Sequence, residues 1–161
     1  MKALPQLEEF VYQTTFTLLN NLTQTSKPIW GNMDAQQMVE HLLISVEVGT
    51  GKRVVDITTP IERLAQVKSI GLMSLRPFQR EVKNAILPAT PLPHRFESLA
   101  QAIEQLKEEL TLFANQLQQA DFKRTHNVFG ELNKEEWMWF HYKHFTHHLT
   151  QFGLIAEQER L

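Results

Sequence analysis

Cysteine is absent from the 161 residues, glycine occurs only six times and tyrosine twice. Without thiols there can be no disulfide, no cysteine nucleophile and no cysteine-bound zinc or iron–sulfur centre. His, Asp and Glu are left as the strong metal ligands. An excess of one charge is lacking as well. Sixteen Lys and Arg stand against eighteen Asp and Glu, for a net charge of −2. Such a chain has no overall positive field to hold a polyanion by counterion release, and it shows no basic helix with interleaved aromatics. Nucleic acid is therefore not an expected partner. Long hydrophobic runs are missing too: nothing approaches the ~20 apolar residues of a membrane span, and residues 1–9 carry no signal-peptide core. The expectation is a cytoplasmic protein with no membrane partner, built as one domain over residues 1–161.

What is present is helical rhythm. Apolar residues recur at three- and four-residue spacing between sparse glycines and prolines, which predicts an all-α fold. A first helix is expected from about Pro5 to Leu22, with Leu4, Leu7, Val11, Leu18 and Leu22 on one stripe. Asp34 followed by Gln37 reads as a capping box, with Met33 and Met38 in staple positions, opening a second helix that ends near Gly49 to Gly51. Ile61 to Leu75 reads as a shorter helix interrupted by Gly71, followed by a long loop whose Leu87–Pro93 stretch is polyproline-like. Ser98 to Gln119 carries Leu99, Ile103, Leu106, Leu110, Phe113 and Leu117 on one face and Glu104, Lys107 and Glu108 on the other. Asn133 with Glu136 caps a last helix reaching Phe152, and Gly153 closes it. Four long helices and one short one predict a four-helix bundle with a long crossover.

The seven histidines are unevenly placed. At about 100° per residue from His144, Trp137 lies at roughly +20°, His148 at +40°, His141 at +60°, Gln151 at −20° and Phe140 at −40°, so all share one inward stripe. His144 and His148, one turn apart, can aim two ring nitrogens at one ion. His141 and His148 are roughly 10.5 Å apart along the axis and cannot. On the second helix, taking His41 as origin, Gln37 sits at roughly −40° and Ser45 at +40° among apolar neighbours, while Glu40 and Glu47 are expected on a narrow solvated strip. These residues alone leave two readings open: neutral core histidines satisfied by ordinary acceptors, or a metal site.

The segment from Val128 to Trp137, leading into His144-Phe-Thr-His-His-Leu-Thr-Gln-Phe-Gly153, resembles the C-terminal signature of the DinB/YfiT-like metalloenzyme superfamily, especially one uncharacterised branch of it. Trp30-Gly-Asn-Met-Asp-Ala-Gln-Gln-Met-Val-Glu-His41 resembles that branch's second-helix motif. The resemblance implies an up-down-down-up four-helix bundle and metal ligands at His41, His144 and His148; His141 and His147 are not carried over. Some members of that superfamily are thiol-dependent transferases or isomerases.

Three neutral imidazoles suit Zn first, with Ni or Fe, and also Cu, as alternatives, rather than Mg or Ca. Three ligands without cysteine leave a coordination position open, which points to a metal-dependent hydrolase or thiol-dependent transferase acting on a small molecule. The alternative is a non-catalytic metal-binding or interaction protein in which the ion stabilises the bundle. Gln37, Ser45 and Gln151 are candidates to orient the histidines or a ligand, and Trp137 to wall a pocket. No carboxylate shares the histidine stripes, so no general base is named. Residues 52–95 hold eight basic and three acidic side chains, a surplus of five positive charges that leaves −7 on the remainder. The first reading is that these charges pair with acidic helix surfaces or with a second subunit in a homodimer; the second is that Arg76 and Arg80 contact an anionic or thiol-bearing substrate.

Overall fold

The computed structural model describes residues 2–80 and 90–159. It is mostly helical. Helix α1 (Leu4–Glu9) takes Pro5 in its first turn, where the missing N–H costs nothing, and runs through a π-helical turn (Phe10–Thr14) into α2 (Thr15–Leu19). The Thr15 hydroxyl donates to the Phe10 carbonyl across that turn at 3.0 Å. The expected continuation to Leu22 does not occur. The chain leaves the helix at Asn20-Asn21, residues that favour turns over helix interiors, and Leu22 is buried from the turn.

Helix α3 (Ala35–Thr50) begins with the reciprocal capping box: Asp34 accepts from the Gln37 N–H and Gln37 accepts from the Asp34 N–H. It ends at Gly51, whose φ of +81° is the left-handed conformation that stops helices. Helix α4 (Ile61–Val67) continues as a second π-helical turn (Lys68–Leu72). Helix α5 (Leu99–Gln116) starts from Ser98, which accepts from the Gln101 N–H. It stops three residues short of the expected Gln119.

The all-α expectation needs a correction. Between α5 and the last helix lies an antiparallel hairpin, β1 (Lys123–His126) and β2 (Gly130–Asn133), with His126 opposite Gly130. Its three-residue loop closes on Gly130 at φ +71°, the left-handed position such loops require. A Cβ there would also come within 2.8 Å of Leu64. Asn133 ends β2 and caps α6 (Lys134–Gln151), accepting from the Glu136 N–H at 3.0 Å.

One apolar cluster runs through all of these elements except β1 and the short 3₁₀ turn (Glu157–Glu159). Helix α3 packs along α5 and against α6, and α1 and α2 lie on α6. Helix α6 is the centre of this packing. From Trp137 to Phe152 every residue is buried except His144. Among the described residues no helix is long and apolar enough to cross a membrane.

Of the expected polyproline-like stretch, residues 87–89 lie outside the described residues. Residues 90–97 form an extended segment tied to the flank of α3. Gln37 donates to the Leu92 carbonyl and Gln36 to that of Phe96, while the backbone N–H groups of Arg95 and Phe96 donate to Glu40. The Arg95 guanidinium grips Glu47 at 2.7 and 3.2 Å. Glu40 and Glu47 are therefore buried, at 4% and 3% exposure, and do not form the expected solvated strip. The crossing segment supplies the donors that make their burial affordable. Burial pushes the Glu47 carboxyl up, but the hydrogen bonds and charges of Arg95 and Arg53 outweigh it and hold the group below the usual carboxylate range.

Candidate metal centre

Helices α3 and α6 face each other across one wall of a cavity of about 1160 Å³, and both contribute histidines to it. His144 Nε2 lies 2.9 Å from His41 Nε2 and 3.1 Å from His148 Nε2. The ligand atoms of the three residues all fall within 4.8 Å of one another. Three nitrogens bound tetrahedrally to one zinc at the usual Zn–N distance stand about 3.3 Å apart, so the two close separations need only small adjustment.

The hydrogen bonds on the far side of two rings decide their tautomers. Gln151 Nε2 donates to the Trp30 carbonyl at 2.8 Å, which turns its Oε1 toward His148 Nδ1 at 2.7 Å. An amide oxygen can only accept, so His148 carries its proton on Nδ1 and presents a lone pair at Nε2. The same logic applies to His144. The Ser45 hydroxyl gives its proton to the Leu42 carbonyl at 2.7 Å and must accept from His144 Nδ1 at 3.2 Å. Two Nε2 lone pairs thus face each other at 3.1 Å with no hydrogen between them. That arrangement is repulsive unless a cation, or a hydrogen donated by His41 Nε2 at 2.9 Å from His144 Nε2, sits at their meeting point.

Protonation does not supply that cation near neutral pH. Burial lowers the His41 imidazole to about 4, assisted by the nearby His147. Burial, then the neighbouring imidazoles, holds His144 and His148 well below the ordinary histidine value. All three are neutral donors, the form a metal requires.

The remaining candidates divide. Gln151 touches His148, as its one-turn spacing suggests, whereas Ser45, one turn from His41, meets His144 on the facing helix instead. Gln37 lines the cavity but spends its side chain on the α3 cap and the Leu92 carbonyl, away from His41. Trp137 stands outside the cavity wall: its buried indole donates to the Arg124 carbonyl and packs against Phe113 and His141. His141 is completely buried among aromatic rings, and neither ring nitrogen has a hydrogen-bond partner among the described residues. Arg76 lines the cavity. Arg80 does not: it pairs with Glu157 at 2.8 Å and lies 4.0 Å over the Trp30 ring.

Sequence reasoning missed His126, His147 and Arg63, which also line the cavity. His126 Nδ1 accepts from the Val128 and Phe129 N–H groups, leaving the proton on Nε2. Its signal was the unread hairpin, with Asn127 to Gly130 as the turn. His147 binds the Phe78 carbonyl through Nδ1.

No curated protein and no solved structure matches this chain. The model of the family described as "Protein of unknown function (DUF1569)" matches residues 4–153, a span that takes in every histidine of the cluster together with Ser45 and Gln151, and the chain belongs to that family.

Proposed function

We propose that His41, His144 and His148 hold one divalent transition metal, zinc first, and that the protein is a metal-dependent hydrolase or thiol-dependent transferase of DinB-like, up-down-down-up architecture. The observation that carries this reading is the pair of hydrogen-free Nε2 lone pairs meeting at 3.1 Å, their orientation imposed by Gln151 and Ser45.

When bound, a divalent ion supplies Lewis-acid chemistry, polarising a substrate oxygen and favouring the deprotonated form of water or a thiol. The chain's own residues prepare for this. Gln151 and Ser45 fix two imidazoles with their basic nitrogens inward and raise their ligand strength. Phe140 stacks on His144 and limits how far that ring can turn. Glu40 also lines the cavity, but both of its oxygens already accept N–H donors, so it acts as a clamp on the 90–97 segment and not as a base.

Enzyme chemistry is favoured over a purely stabilising ion because the group contains three ligands among the described residues and borders a large cavity. Cobalt(II)-substituted protein provides the test. Titration with acetohydroxamate or 2-mercaptoethanol is expected to shift the visible d–d bands and to saturate, as an open coordination position requires. An unchanged spectrum at full cobalt loading contradicts the enzyme reading and leaves the ion a stabilising role.

A further inference from the structure

Residues 52–95 carry the basic surplus, and the structure accounts for it side chain by side chain. Lys52, Arg53, Lys68, Arg80 and Arg95 are each paired with a carboxylate. Lys83 lies outside the described residues. That leaves Arg63 and Arg76. Neither side chain has a hydrogen-bond or ion-pair partner among the described residues, in a chain with more acids than bases, and both line the cavity that holds the three-histidine group.

Among the described residues the cavity offers these two arginines no internal counter-charge. Its other charged side chains among the described residues are Glu40 and Arg95. Glu40 is saturated by N–H donors, and Arg95 is neutralised by Glu47. The net charge that the described residues leave facing the space is positive.

Helix α4 shows what else the space is made for. It has no buried residue, and its cavity-lining positions are Arg63, Gln66 and Val67, continued by Ile70 in the π-helical turn. This is the spacing of one helical stripe. A stripe that ordinarily seals a core here faces an open cavity, with a guanidinium at one end and Ile70 still 54% exposed at the other.

We infer that the cavity binds a small molecule carrying an oxyanion on an apolar body, with the anion held by Arg63 and Arg76 and the body lying along Val67 and Ile70 toward the three histidines. Guanidinium groups suit this role because they present paired N–H donors to carboxylate or phosphate oxygens. The inference rests on the metal reading for what the far end of the ligand meets. The arginine contact is independent of it.

Calorimetric titration of the metal-loaded protein with octanedioate and octanoate tests it, since the two differ only in the second carboxylate. The diacid is expected to bind about tenfold more tightly, to lose that advantage as salt is raised, and to lose it in the Arg63→Gln, Arg76→Gln double variant with metal content unchanged. Both side chains are exposed and, among the described residues, unpaired, so the variant is expected to melt like wild type. An equal preference in the variant, or no preference together with octanoate binding that is the same in wild type and variant, overturns the inference while stoichiometric metal leaves the metal reading standing. If wild type holds no metal, that reading fails by itself. The same titration then decides the arginine contact on metal-free protein: octanedioate binding that disappears in the double variant upholds it, and binding that is absent or unchanged overturns it.

Discussion

Gln151 fixes the proposed site from beside it. Its amide is held at both ends, donating to Trp30 and accepting from His148, and the chain makes room for it with Gly31. That glycine has φ +82°, and a Cβ there would come within 2.7 Å of Gln151 Nε2. Gln151→Ala frees the His148 ring to take either tautomer, so metal affinity measured by chelator competition is expected to fall by about 10- to 100-fold. Unchanged affinity would mean that the amide is only a structural bridge. His141→Ala is expected to leave metal affinity within about twofold of wild type, because His141 lies roughly 10.5 Å along the helix from His148. Loss of metal with circular dichroism intact would contradict the ligand assignment. The inward placement of His41, His144 and His148 is legible from helical periodicity, which turns His141 inward as well; that these three form one set is what the family resemblance implies. The contact of Gln151 with His148 is legible by the one-turn rule, but that of Ser45 is not, because Ser45 stands one turn from His41 and meets His144 across the helix interface. Gln37 is not legible either: it obeys the rule, but its capping duty and the Leu92 carbonyl compete for the side chain and win.

At the scale of elements, the π-helical turn after α4 depends on Lys143. Its ammonium is buried at 1% exposure and donates to the carbonyls of Gly71, Leu72 and Ser74 at 2.9 to 3.1 Å, groups that the ending helix leaves without partners. Trp139 adds a second donor to the Leu72 carbonyl at 2.7 Å. Burial still draws the lysine down to about 8. Lys143→Met removes the donor from three carbonyls and is expected to cost about 1–3 kcal/mol, a fall in melting temperature of roughly 2–10 °C for a chain of this size. An unchanged melting temperature would show that water satisfies those carbonyls equally well. Nothing in the local sequence announces this contact, because residue 143 reads as a polar interruption in a helix face and its partners lie about seventy positions earlier. The hairpin escaped for a different reason. Four-residue strands are too short for alternation to stand out, and the Gly130 turn signal is masked by Val128 and Phe129.

At the scale of the whole molecule, the buried histidines set the acid limit of stability. Burial lowers His126 and His141 to about 3, and both are near 6.5 when unfolded. Below pH 6.5 the unfolded chain takes up protons that the folded chain refuses, so stability falls as the pH drops toward 3. Each histidine contributes up to about 1.4 kcal/mol per pH unit across that window. Urea midpoints measured with a chelator present are expected to decline steadily from pH 7 to pH 5, and a flat or rising profile would contradict the buried, neutral placement. The basic surplus of residues 52–95 is a whole-chain feature that was legible in composition. Its destination was not, because the buried carboxylates Glu47 and Glu109 that absorb much of it are recruited by tertiary packing.

The central claim is that three neutral imidazoles from α3 and α6 form one metal site. Elemental analysis of tag-free protein, purified without added metal and then equilibrated with limiting zinc, tests it most directly. The account predicts one equivalent per chain for wild type and a severe loss for the His41→Ala, His144→Ala double variant; stoichiometric metal in that double variant would contradict it.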